Sequence, residues 1–241
     1  MLSKVAIEIV KKLTQKMKGA FSKELGIRLE TKEPAEIFKW FIASILFGAR
    51  IGEKIAINTY KEFERRGFDN PQIFIDTGWD GLVEILDIGG YVRYDFKTAT
   101  KLLEIMNSLI KNYDGSLNEL HKRAQNERDL EERIKGLGKG IGDTTVNIFL
   151  RELRGIWDKD NPIPGELVLL PVKRLGLSSS KAKKQILKDL QSLWQEGRIK
   201  NLEFRDFEAA LLRIGKDYCR KAKCEPCPMK DYCGYYKRKM H

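Results

Sequence analysis

Four cysteines, Cys219, Cys224, Cys227 and Cys233, stand in the stretch CRKAKCEPCPMKDYC, and the sequence has no others. Their spacing is C-x4-C-x2-C-x5-C. Thiolates so close together hold zinc or an iron–sulfur cluster. A structural zinc site usually offers two C-x2-C pairs separated by a longer insert. Here one such pair is flanked by single cysteines, a compact loop that suits a [4Fe–4S] cluster better than zinc. Free or disulfide-bonded thiols are the remaining reading. Arg220, Lys221, Lys223 and Lys230 lie among the cysteines. They offset the negative charge of a thiolate-ligated cluster and could also face phosphate.

A second stretch, GLGKGIGDTTVNIFL (136–150), concentrates glycines where two helices would meet. Glycine admits positive φ and lets backbone approach another surface. Amides of such a turn, at the start of a helix, form an anion site suited to phosphate. A helix–helix turn needs one capping glycine; Gly138, Gly140 and Gly142, with Lys139 among them, exceed that need. The pattern reads as a helix-hairpin-helix whose phosphate contacts come from Lys139, Gly140, Ile141, Gly142 and Thr145. A bulky residue at Gly142 is expected to distort the turn.

The elements that must position these residues read as helices. Residues 34–47 are apolar nearly all round after Pro34, as in a buried central helix. Residues 95–111 and 143–155 repeat apolar positions at helical spacing. Further amphipathic segments lie near 53–66, 79–87, 116–123, 128–136, 180–195 and 204–218, and none alternates as a strand would. The expected class is all-α, with roughly ten helices joined by short connections.

Composition narrows the partner. The 241 residues carry a formal charge of +11, which points to a polyanion, nucleic acid first and a membrane surface second. No apolar run reaches the roughly 18 residues of a membrane span. MLSKVAIEIVKKLTQKMKG reads as an amphipathic helix and not a signal peptide. A reducing, cytoplasmic and nucleoid-associated location is therefore expected, as is a monomer.

The hairpin followed by a four-cysteine loop resembles the endonuclease III branch of the helix-hairpin-helix DNA glycosylases. FKWFIASILFGARIGE, GWDGLVEILDIGGYVRYDFKTATKLLE and FEAALLRIGKDYC extend the resemblance along nearly the whole chain. It implies two helical domains with double-stranded, damaged DNA in the groove between them. The expected division is an N-terminal helix at 1–30 packing with the cluster domain, a helical barrel at 31–150, and the cluster domain at 151–241. The hairpin is expected at 128–155. By the same resemblance Arg50 fills the gap left by a flipped base, and Tyr91, Arg93 and Tyr94 lie near the wedge loop.

The catalytic positions depart from the pattern. Where the family places a lysine, two residues after the last hairpin glycine, this chain has Thr144; a threonine hydroxyl cannot form an imine. Where it places an aspartate, nine residues before RLGL, the chain has Gly165, with Glu166 beside it. The first cysteine gap is four residues instead of six. The reading is a monofunctional base-excision glycosylase with Glu166 as the carboxylate. Two alternatives stand: an iron–sulfur DNA-binding protein without chemistry, and a lyase using Lys139. Asp158 and Asp160 are candidate carboxylates on an exposed loop, and Asp143 is expected to cap its helix.

Overall fold

The computed structural model describes residues 4–240. Every regular element among them is helical, apart from one β-bridge between Arg154 and Trp157. The helices are α1 (Lys4–Lys16), α2 (Phe21–Glu24), α3 (Pro34–Gly48), α4 (Glu53–Arg65), α5 (Pro71–Ile88), α6 (Asp95–Tyr113), α7 (Leu117–Arg123), α8 (Glu127–Lys135), α9 (Asp143–Glu152), α10 (Glu166–Leu175), α11 (Lys183–Gly197), α12 (Phe204–Ile214) and α13 (Gly234–Met240). Two compact units form. One is Leu25–Pro162; the other joins the residues up to Glu24 to those from Ile163 onward.

In Leu25–Pro162, α3 is the central helix. Ile37, Phe38, Trp40, Phe41, Ile42 and Leu46 are all buried, because the helix packs on α4, α7 and α9 rather than facing water. The Trp40 indole N–H donates to the Phe149 carbonyl at 3.0 Å, and the Phe41 and Phe149 rings meet edge-on at 5.2 Å. Those contacts bind α9 to the core. Helix α5 begins earlier than its periodicity suggests. Asn70 accepts hydrogen bonds from the amides of Gln72 and Ile73, and Pro71 opens the first turn. Gly78, at φ 70° and ψ 180°, kinks it. The segment after α9 folds back: Arg154 donates to Asn161 Oδ1 at 2.8 Å and to the Pro162 carbonyl.

The other unit buries Ile9, Val10 and Leu13 of α1 with Leu190, Trp194, Phe207 and Leu211. The buried Asp206 carboxylate accepts from the amides of Ala20 (3.0 Å) and Glu203 (2.8 Å) and from Lys23 (2.8 Å). Helix α12 runs on into a π turn, Gly215–Cys219, that ends on the first cysteine.

Candidate functional site

The turn from Gly136 to Gly142 joins α8 to α9. Gly136 caps α8, Leu137 is buried, and the Ile141 amide donates to the Gly138 carbonyl at 3.3 Å. Close approach requires two of the glycines. A Cβ on Gly138 would lie 2.7 Å from Ile105 Cγ1; Gly140 holds φ +106° with Lys101 against it. Gly142 differs from expectation. Its φ is −103° and a Cβ there would meet nothing within 4 Å, so a larger residue obstructs the approach to α9 without deforming the turn. Gly142, not Asp143, is the N-cap, and no side chain caps the helix. The first-turn amides of α9 are therefore without side-chain acceptors, with the positive end of the helix dipole behind them. Asp143 instead pairs with Lys135 at 2.7 Å.

Next to this turn lies a cleft of about 420 Å3, whose lining includes Gly48, Ala49, Arg50, Tyr91, Tyr94, Lys97, Thr98, Lys101, Lys139 and Gly140. It brings together Arg50, Tyr91 and the adjacent pair Lys139 and Gly140, from three separated stretches of the sequence. Arg93 stays outside the lining, its guanidinium 5.3 Å from the centre of the Tyr94 ring. Sequence reasoning missed Lys97 and Lys101. They stand one helical turn apart on α6, and only the spacing of four marks them as sharing a face. Arg50, Lys97, Lys101 and Lys139 are exposed. Among the described residues no carboxylate lines the cleft, so its charged lining is cationic and suited to phosphate.

The catalytic candidates fall in several environments. Thr144 is exposed on α9. Thr145 is 2% exposed and faces Gly48, where a Cβ would come within 2.2 Å of its hydroxyl; its side chain cannot reach a ligand, which leaves only its amide. Glu166, first in α10, is exposed and pairs with Lys183 at 2.7 Å. Asp158 is exposed and pairs with His121 at 2.7 Å. Asp160 is not an exposed-loop residue: it is 6% exposed. Burial pushes its carboxyl up to about 8, against the pull of Arg154 and of the amides of Trp157 and Gly155.

The four cysteines line one recess, with Arg174, Lys223 and Lys230 among its walls. Cys219 and Cys233 are buried, and no two of the four are disulfide-bonded. Arg174 donates to the Cys219 carbonyl at 2.8 Å and stacks on Tyr235 at 4.0 Å, which fixes one wall. Burial pushes the Cys219 thiol up to about 11 and raises Cys227. Among the described residues, no three His, Cys, Asp or Glu side chains converge as a single metal ion would require.

No protein-family model matches the chain. It is 25% identical over 207 residues to a protein of Methanocaldococcus jannaschii named "Putative DNA repair glycosylase", covering 80% of this chain and 88% of that one. It is 26% identical over 201 residues to the endonuclease III of Rickettsia felis, covering 83% of each. With the endonuclease III of Rickettsia prowazekii the identity is 25% over 197 residues, covering 81% of this chain and 82% of that one.

Proposed function

We propose, from the premise that this chain belongs to the endonuclease III-like family, that it is a DNA repair glycosylase excising a damaged base from duplex DNA by hydrolysis alone. The observation that carries this reading is the meeting of the α8–α9 turn with a cleft lined by cations. The hairpin amides take a backbone phosphate, and Arg50, Lys97, Lys101 and Lys139 hold the strand around it. Chemistry on a base requires its extrusion from the stack. In the hydrolysis the bond between C1′ and the base nitrogen breaks, water supplies hydroxide to C1′, and its proton goes to the departing base. A carboxylate stabilises the positive charge that develops on the sugar, and Glu166 is the residue assigned to that role. Thr144 offers no amine, so the reaction stops at the abasic product.

Cys219, Cys224, Cys227 and Cys233 would hold a [4Fe–4S] cluster. The donor set fits: four thiols and no imidazole line the recess, with Arg174, Lys223 and Lys230 to balance thiolate charge. Such a group supplies cross-links that organise a loop otherwise poor in regular structure, since ligand binding and folding are coupled.

A second reading, DNA binding without excision, is favoured by Glu166 being 81% exposed and already paired with Lys183. A panel of duplexes with single damaged bases, scored for strand cleavage with and without alkali, separates the two. Cleavage only after alkali is the expected result. Cleavage without alkali would contradict the monofunctional assignment, and no excision across the panel would favour the second reading.

A further inference from the structure

Among the described residues, six large apolar side chains are exposed, and five of them fall between residues 79 and 96: Trp79, Ile88, Val92, Tyr94 and Phe96. Concentrated exposed apolar surface marks an interaction site. Two of these side chains meet: the Trp79 ring of α5 and the Phe96 ring of α6 lie 5.2 Å apart at 42°. The indole N–H donates to Thr100 Oγ1 at 3.1 Å, and the Thr100 hydroxyl donates to the Phe96 carbonyl at 3.0 Å. The pair is thus held in place while remaining open to solvent.

What covers it follows from the neighbouring charge. Tyr94 belongs both to this group and to the lining of the cationic cleft, and Lys97, next to Phe96 in sequence, lines the cleft too. Arg93 lies over the Tyr94 ring. Of the four acids in the same stretch, Glu84 is held by Arg66, Asp87 hydrogen-bonds to Asp95, and Asp80 is exposed beside Trp79, so the cations that line the cleft outnumber the one acid left over. An apolar protein partner would strip water from these cations and give them nothing in return. Aromatic rings beside a cationic groove are instead the arrangement that binds single strands, with bases on the rings and phosphates on the cations. We propose that Trp79 and Phe96, with Tyr94, stack unpaired bases of a DNA strand whose phosphates lie along Lys97, Lys101 and Arg50. This rests on the DNA-binding reading above and extends it to single-stranded segments.

The protein contains its own reporter. Trp40, Trp157 and Trp194 are 0%, 7% and 4% exposed, whereas Trp79 is 39% exposed, so quenching of solvent-exposed tryptophan emission reads Trp79. The full chain is titrated with an oligothymidylate of about ten nucleotides and, in parallel, with a duplex carrying one damaged base. The expected result is quenching by the oligothymidylate, with affinity about tenfold weaker in Phe96→Ala and in Trp79→Ala (read by anisotropy of labelled DNA). Trp79→Phe, which keeps a ring, should retain most of the affinity. Duplex affinity should stay within about twofold in all three. Unchanged oligothymidylate affinity in both alanine variants overturns the proposal, as does duplex binding without any quenching by the oligothymidylate. So does shielding of Trp79 that grows with protein concentration and needs no DNA, which would assign the patch to a second copy. If neither nucleic acid binds, the DNA-binding reading itself falls, a result distinct from the failure of the patch alone.

Discussion

Thr144 decides which chemistry is open to the hairpin helix. It is exposed at the start of α9, where a lysine would carry an amine. Borohydride should therefore trap no covalent complex between the protein and abasic DNA. Thr144→Lys should gain such a complex, visible as a band shifted in a denaturing gel. Abundant trapping by the unmodified protein that vanishes in Lys139→Ala would transfer the role to Lys139. Glu166→Gln keeps size and removes charge. If Glu166 stabilises the transition state, excision should slow about a hundredfold, roughly 3 kcal/mol of barrier. A change under about threefold would return Glu166 to its contacts with Lys183 and the helix dipole. At this scale the sequence was informative where chemistry depends on spacing along the chain. The cysteine run and the hairpin glycines are local patterns. Lys97 and Lys101 look like any solvated lysines of an amphipathic helix, and Asp160 like a loop acid. The role of the two lysines arises from Arg50 and Lys139, contributed by distant segments, and that of Asp160 from the local fold-back that buries it against Arg154, Gly155 and Trp157.

Between elements, the contact of α10 with the π turn sets where the first cysteine stands. Pro171 lies inside α10 and has no N–H to offer the Leu167 carbonyl one turn earlier. Gly215 lies against that carbonyl so closely that a Cβ would be 1.7 Å from its oxygen. The lack of a donor at one residue and of a side chain at the other let two backbones touch. Gly215→Ala must push α10 from the turn that carries Cys219. It should lower the melting temperature and the iron content together, measured by calorimetry and by iron per chain. Full iron content with an unchanged melting temperature would show that the contact yields without consequence. Helical periodicity made α3, α6 and α9 legible. It placed the start of α5 too late because Gly78 breaks the pattern, although Asn70–Pro71 carried a start signal in plain view. The π turn left no readable trace, since its register depends on Leu167 and Pro171, more than forty residues earlier in the chain.

Across the whole molecule, charge governs the response to solution conditions. With +11 formal charge, DNA affinity should fall steeply with salt. Lys139→Ala should flatten the plot of log affinity against log salt by about one, similarly for all sequences. An unaltered slope would remove Lys139 from the phosphate contacts. Two buried acids act oppositely on stability. Burial would raise Asp206, but hydrogen bonds from Lys23 and from the amides of Ala20 and Glu203 hold it below the ordinary carboxylate range. Its contribution is present above the unfolded value and is lost as pH falls through the folded one. Asp160 is raised to about 8, so between its unfolded value of about 3.9 and that point the folded chain keeps a proton that the unfolded chain has released. Stability from this group therefore falls as pH rises through the window. One of its oxygens, Oδ2, is buried with no partner. Asp160→Asn keeps an acceptor for the surrounding amides and cannot ionise. It should melt higher than the parent at about pH 8 and alike near pH 4. A melting difference independent of pH would separate Asp160 from this effect.

The unit around the cysteines is assembled from two separated segments, and synthesis runs in one direction. Leaving the ribosome, α1 emerges before the elements it packs on, with Ile9, Val10 and Leu13 along one side. Its packing partners, α11 and α12, are made only after the whole of Leu25–Pro162. The Ala20 amide waits through 186 residues of elongation for the Asp206 carboxylate that will accept it. During that interval Leu25–Pro162 can close on its own contacts while the leading helix stays uncovered. A chain that stalls before α11 thus leaves the apolar stripe of α1 without the helices that cover it in the finished fold.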